Sequence, residues 1–190
     1  MQGRGEKTRR KLLNAATAVF AKRGYHAARV IDIVKAAKTS QGTFYLYFDN
    51  KEDLFAVLAG EVSKKVADLV ADFPSFGADD AGRQELETWL VRFGDLYQEH
   101  GSVIRAWTDA EIAGERVGDF GSEASAKFAL SIAELFSAAR TPEIDPQVAS
   151  LAIVAMIERS HYYLLTSQLK VDRAEMAATL ARSTHAAIYG

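Results

Sequence analysis

An all-α fold is what this sequence predicts, and three features predict it. Of 190 residues, 32 are Ala and only 3 are Pro, the best and the worst helix formers. Apolar residues recur at three- and four-residue spacing through most of the chain, the period of an amphipathic helix. The recurring segments are punctuated by good N-cap residues (Ser40, Asn50, Asp145, Asp172) and by a helix-stopping Gly24.

The elements follow in order. Leu12, Ala15, Ala16, Val19 and Phe20 give the apolar stripe of a first helix over 8–23, whose other face carries Lys7, Arg9, Arg10, Lys11, Lys22 and Arg23. A short second helix is predicted from Val30 to Ala37, then a tight turn, then a third helix of about two turns over 41–48 with Phe44 and Phe48 pointing one way. Two short helices joined by a tight turn after a supporting helix make a helix-turn-helix. Asn50 with Asp53 opens a fourth helix to about Asp72, close to a capping box. Residues 73–80 read as a linker by their Pro, Gly and acidic residues. Further helices are expected over 81–99, 101–113, a stretch ending near Ala139, 146–169 after the Asp145-Pro146 start, and from Asp172 to Ile188, about nine in all.

Composition narrows the function. Hydrophobic residues at 48% and charged residues at 25% are an ordinary globular balance. The absence of Cys excludes disulfides, thiol catalysis and Cys-ligated metals. No apolar run approaches the roughly 18 residues of a membrane span, and Met1–Lys7 has no apolar segment behind it, so no membrane partner and a cytoplasmic location are expected. The net charge of −2 hides an asymmetry: residues 1–51 hold eleven Lys/Arg against three Asp/Glu, and the rest twelve against twenty-two. A net of +8 in the first segment points to a polyanion partner; a basic arm with no partner is the bland alternative.

The residues of that segment then carry a resemblance. Thr8-Arg9-Arg10, Ala15-Ala16, Phe20-Ala21-Lys22-Arg23-Gly24-Tyr25, Asp32-Ile33, Ala36-Ala37, Ser40 through Phe48, and Lys51-Glu52-Asp53-Leu54 closely resemble the TetR family of transcriptional repressors, over about Thr8 to Leu58. The resemblance implies a helix-turn-helix DNA-binding domain over 1–50 and a helical effector-binding and dimerisation domain over 51–190. It also implies a homodimer that binds a palindromic operator and is released by a small, mostly apolar effector.

The expected DNA-facing set is Arg29, Ser40, Gln41, Gly42, Thr43, Tyr45, Leu46, Tyr47 and Lys51. A recognition helix this short inserts its N-terminal half into the major groove, so Gln41, Gly42 and Thr43 face DNA. Gln41 can hydrogen-bond a base edge, with adenine its natural bidentate partner. Thr43, Tyr45, Tyr47 and Lys51 are read as phosphate contacts that position without specifying; for the two tyrosines, packing beneath the first helix is the alternative. Leu46 is either a contact to a thymine methyl or simply an exposed leucine. Two positions depart from the family. Arg29 stands where Thr usually caps the second helix, and Lys38 stands where the turn usually has Gly, at a cost of about 1 kcal/mol.

The larger segment is read more coarsely. Trp89, Phe93 and Tyr97 share one helix face, and Trp107, Phe128 and Tyr162 come from other helices. Residues at helical spacing are ordinarily core; the resemblance turns them, with the polar Glu158 and His161, into a candidate effector pocket. The pair of Glu158 and His161 is a single Glu-x-x-His, and a di-iron site needs two copies. Asp109, Glu111, Glu115 and Asp119 form an acidic set better read as a solvated face. No nucleophile elbow or glycine-rich phosphate cradle is present, so no cofactor and no catalysis are expected. The rival readings are an all-α small-molecule enzyme or carrier, and a helical scaffold without a ligand. Dimerisation is expected through the last two helices, where Leu151, Ala152, Val154, Ala155 and Met156 leave little polar surface and Ala177, Ala178, Ala181 and Ala186 permit close approach.

Overall fold

The computed structural model describes residues 3–112, 119–139, 144–166 and 170–190. Among them are eight helices and no strand: α1 (Arg4–Arg23), α2 (Val30–Ala36), α3 (Gln41–Tyr45), α4 (Lys51–Ala71), α5 (Asp80–Ile112), α6 (Asp119–Ala139), α7 (Pro146–Leu165) and α8 (Arg173–Tyr189). The all-α prediction holds, with eight helices in place of about nine. The difference is α5, expected as two helices parted at His100-Gly101 and found as one of 33 residues. Gly101 is buried within it. A glycine in a helix interior costs only about 1 kcal/mol relative to Ala, too little to break a helix that buries the position.

The chain forms two compact units, Met1–Lys64 with His100–Gly121, and Lys65–Glu99 with Ser122–Gly190. In the first unit Leu12, Leu13, Ala16 and Phe20 of α1 are fully buried. The buried edge of α1 is therefore turned slightly from the predicted stripe, with Ala15 and Val19 on its flank. Phe20 meets Tyr25 and Phe55 edge-on at 5.5 and 5.8 Å, an arrangement aromatic quadrupoles favour. Gly24 ends α1 at φ 76° and ψ 162°, a backbone region essentially restricted to glycine.

The turn between α2 and α3 is a complete Schellman motif. Thr39 N–H donates to Val34 O at 3.0 Å and Lys38 N–H to Lys35 O at 3.1 Å, the paired bonds that close a helix C-terminus. Lys38 takes the left-handed position, at φ 48°. The third helix is shorter than predicted, five residues ending at Tyr45. Phe44 and Phe48 nonetheless both turn inward, 5.7 Å apart. At the start of α4, Asn50 Oδ1 accepts from Asp53 N–H at 2.7 Å while Asp53 reaches back to Asp49 N–H at 3.1 Å.

The second unit is built on aromatic packing. Phe73, Trp89, Phe93 and Phe128 meet at centroid distances of 4.9 to 6.0 Å. The Trp89 indole N–H, buried with the ring, donates to Leu69 O in the last turn of α4 at 3.0 Å, satisfying the one polar atom of a large apolar side chain. The linker over 73–80 is not a loose one. Phe76 is buried, Tyr189 Oη donates to its carbonyl at 2.6 Å, and His185 Nε2 lies 3.0 Å from Gly77 O. Asp145 caps α7 and Asp172 caps α8, each accepting from two backbone N–H groups. The seventh helix ends at Leu165, short of the predicted 169; residues 167–169 lie outside the described residues, as do the side chains of Asp109, Glu111, Glu115 and Asp119.

Candidate nucleic-acid interface and effector groove

Most of the residues expected to face DNA lie exposed on the helix-turn-helix. Ser40 Oγ accepts from Thr43 N–H at 3.1 Å and lies 3.0 Å from Thr43 Oγ1, so the first turn of α3 is fastened before anything binds it. Gln41 and Gly42 are exposed. A Cβ at Gly42 would meet only Ser40 Oγ, at 3.8 Å, so nothing within the described residues demands a glycine there; what it leaves free is the outward approach. Tyr45 is 56% and Leu46 80% exposed, an unusual share for large apolar side chains beside a buried Phe44. Tyr47 is half-buried, with its hydroxyl against Gly5 at the start of α1.

The cations around this helix divide into two kinds. Arg29 and Lys38 are exposed, with no ion-pair partner among the described residues. Arg29 gives α2 no side-chain cap; instead Asp32 Oδ2 accepts its backbone N–H at 3.2 Å and also takes Arg23 at 3.4 Å. Lys51 is committed inward: its Nζ donates to Tyr25 O at 3.0 Å and sits 4.3 Å above the Tyr25 ring. Arg10 pairs with Glu61 at 2.8 Å, which raises its pKa further, and Arg9 lies over Phe48 at 5.4 Å.

In the second unit a groove opens between α5, the end of α7 and the start of α8. One cavity of about 270 Å³ is lined by Gly94, Tyr97, Gln98, His161, Leu164, Leu165 and Arg173. Another, of about 360 Å³, shares Gly94, His161, Leu164 and Arg173 and adds Asp95 and Asp172. Of the residues read from the sequence as a pocket, Tyr97 and His161 line this groove. Trp89, Phe93 and Phe128 form the packed layer behind it, with Phe93 edge-on to His161 at 5.0 Å. Glu158 is held by Ser125 Oγ at 2.8 Å. Tyr162 is half-buried with the Arg159 guanidinium 5.2 Å over its ring. Trp107 is buried in the first unit.

The electrostatics of the groove are set by burial. His161 is only 4% exposed, and its Nδ1 lies 2.8 Å from Ile157 O. Burial lowers its pKa against the raising effect of that bond, and Arg173 lowers it further, so the ring is neutral. Tyr97 is pushed far above the usual phenol range by burial and by Glu158, and stays protonated. At the rim Arg173 donates to Asp95 and to Gln98. Sequence reasoning did not find Gly94, Gln98 or Arg173. The available signal was Gly94 itself, a glycine inside a strongly periodic helix with no turn near it.

Among the described residues no cluster of three His, Asp or Glu could hold a metal ion, and no helix is long and apolar enough to cross a membrane. The family model described as "Bacterial regulatory proteins, tetR family" matches residues 12–58. The HTH-type transcriptional regulator YdgC of Bacillus subtilis is 44% identical over 69 residues, 36% of this chain and 35% of that protein. The A-factor receptor protein of Streptomyces griseus is 26% identical over 187 residues, 95% of this chain and 62% of that one. The chain thus spans about a third of the first relative and under two-thirds of the second. Among solved structures, FadR of Bacillus subtilis in complex with stearoyl-CoA superposes with a TM-score of 0.68 at 19% identity, covering 94% of this chain and 98% of that one. A short exposed helix on a Schellman turn, inside the matched stretch and ahead of a helical unit of similar fold, leads to one conclusion: over residues 12–58 the chain is similar to the tetR family of bacterial regulatory proteins, and along most of its length it shares a fold with solved structures of such regulators.

Proposed function

We propose that this protein is a sequence-specific DNA-binding transcriptional regulator, not an enzyme, that sits on a palindromic operator as a homodimer and is released by a small, mostly apolar effector. The observation that carries this reading is the outer surface of α3: Gln41, Gly42, Tyr45 and Leu46 stand exposed on a fastened helix, with the cations Arg29 and Lys38, which have no ion-pair partner among the described residues, beside them. Phosphate contacts supply affinity and position, and the side chains at the helix start supply discrimination. Gln41 is the base reader in this scheme. Lys51 acts from behind, holding the Tyr25 carbonyl, and Tyr47 braces the first helix.

Dimerisation draws support from α7. Val148 is 66% and Leu151 61% exposed, and Ala152 and Ala155 continue the same stripe. A helical face of this length without charge is a surface that another protein covers. The contribution of α8 is smaller than its sequence promised, because Ala177 and Ala181 are buried within their own unit while Ala186 is exposed. Effector binding draws support from the groove over His161, and the neighbouring FadR fold holds stearoyl-CoA. The test is binding to the DNA upstream of the protein's own coding region across a salt series. Affinity that falls steeply with salt, with a footprint of two half-sites about one helical turn apart or somewhat more, is expected. A salt-insensitive or absent interaction would return the protein to the class of helical carriers.

A further inference from the structure

One polar atom on the groove floor is selective by its chemistry. Ile157 O can only accept, so the 2.8 Å contact fixes His161 as the Nδ1–H tautomer. Nε2 is then a bare lone pair, and it has no hydrogen-bond partner among the described residues. It faces Gly94 across α5, where a methyl group at the Cα would come within 3.4 Å of it. Gly94 lies in the middle of a helix and carries no positive φ, so its missing side chain serves to leave that approach open. Every charge at the rim already has a partner. Arg173 is engaged by Asp95 and Gln98, and Asp172 accepts the N–H groups of Ala174 and Glu175. An ionic ligand would give up its water without gaining a counter-charge. The remaining walls, Leu164, Leu165 and the Tyr97 ring, are apolar.

We infer that the groove takes an electrically neutral, mostly apolar molecule carrying a hydrogen-bond donor, a hydroxyl or an amide N–H, which it places over Gly94 against His161 Nε2. The inference rests on reading the second unit as the effector-binding part. A carboxylate aligns its lone pairs against that of Nε2 and is rejected. An ammonium group can donate, but at Nε2 it meets an uncharged acceptor and loses its hydration, while the rim carboxylates, Asp95 paired with Arg173 and Asp172 accepting two backbone N–H groups, stand exposed to solvent. An ether of the same length fills the apolar walls and leaves Nε2 without its bond.

The full-length protein is titrated calorimetrically, near neutral pH, with four probes of one chain length: 1-octanol, methyl octyl ether, octanoate and octylammonium. The expected result is that 1-octanol binds about tenfold more tightly than each of the others, the worth of one hydrogen bond to a buried acceptor. Binding should also shift the ¹⁵N resonance of His161 Nε2. Gly94→Ala puts a methyl where the donor sits, and should bring 1-octanol down to the level of the ether at an unchanged melting temperature. His161→Phe should do the same by removing the acceptor. Tighter binding of octanoate would overturn the inference by showing Arg173 available to an anion. Tighter binding of octylammonium would overturn it in the same way for a cation, and equal affinity for alcohol and ether would show that Nε2 selects nothing. In those three outcomes the groove remains an effector site. If none of the four binds, the effector reading of this groove fails and the inference fails with it.

Discussion

Lys38→Gly is expected to move stability and DNA affinity in opposite directions. At φ 48° Lys38 occupies the left-handed position of the Schellman turn between α2 and α3. For an L-residue with a Cβ that region costs roughly 1–2 kcal/mol, and glycine adopts it freely. Glycine also adds freedom to the unfolded chain, which takes back about 0.4–1 kcal/mol. The net expectation is a gain of about 0.5–1 kcal/mol, seen as a higher urea midpoint at unchanged slope. The same substitution removes an exposed cation beside the recognition helix, so the slope of log affinity against log salt should fall by about 0.9 per half-site. Lys38→Ala is the control: it keeps the strain and removes the charge, so the salt slope falls while the urea midpoint stays near that of the parent. If Lys38→Gly lowered the midpoint, the strain argument would be refuted. If both variants kept the parental salt slope, Lys38 would not touch the DNA backbone.

The remaining predictions concern other parts of the molecule. Gln41→Ala should cost about 1–3 kcal/mol of discrimination at one base pair; an equal loss on every operator variant, measured by fluorescence anisotropy, would deny it a base-reading role. Leu151→Glu places a charge in the exposed stripe of α7 without touching the core of its own unit, and sedimentation velocity should show a monomer with at least tenfold weaker binding to a two-half-site operator. The lowered pKa of His161 means that the unfolded state binds the proton more readily than the folded one. Stability should therefore be full above the ordinary histidine value of 6.5 and decline as pH falls from there towards the folded pKa. The decline should be shallower in His161→Phe when both are followed by denaturation between neutral and mildly acidic pH.

The parts of the molecule legible in the sequence are those whose causes are local. Ser40, Gly24, Asn50, Asp145 and Asp172 act within three or four residues of themselves, and each stops or starts a helix where its chemistry says it should. The inward turn of Phe44 and Phe48 follows from their spacing alone. The helices expected over 81–99 and 101–113 run on as one, because the burial around Gly101 is not a local signal. The groove was legible only in part for the same reason. Arg173 meets Asp95 and Gln98 across more than seventy residues, and no periodicity in α5 or α8 announces the pairing. The inward hydrogen bond of Lys51 was hidden from the sequence in the same way. Its partner, the Tyr25 carbonyl, is 26 positions away and is a backbone atom that any residue would supply.

The hydrogen bond from the Trp89 indole to Leu69 O gives the protein a built-in optical gauge. Leu69 lies in the final turn of α4, and Trp89 is locked in its aromatic layer by Phe73 at 4.9 Å and Phe128 at 5.0 Å. A movement of that turn that lengthens the indole bond changes the surroundings of the ring. The second tryptophan, Trp107, belongs to the other unit, so a Trp107→Phe background leaves a single emitter. Its emission maximum and near-ultraviolet dichroism then follow the end of α4 through a titration, with no dye attached.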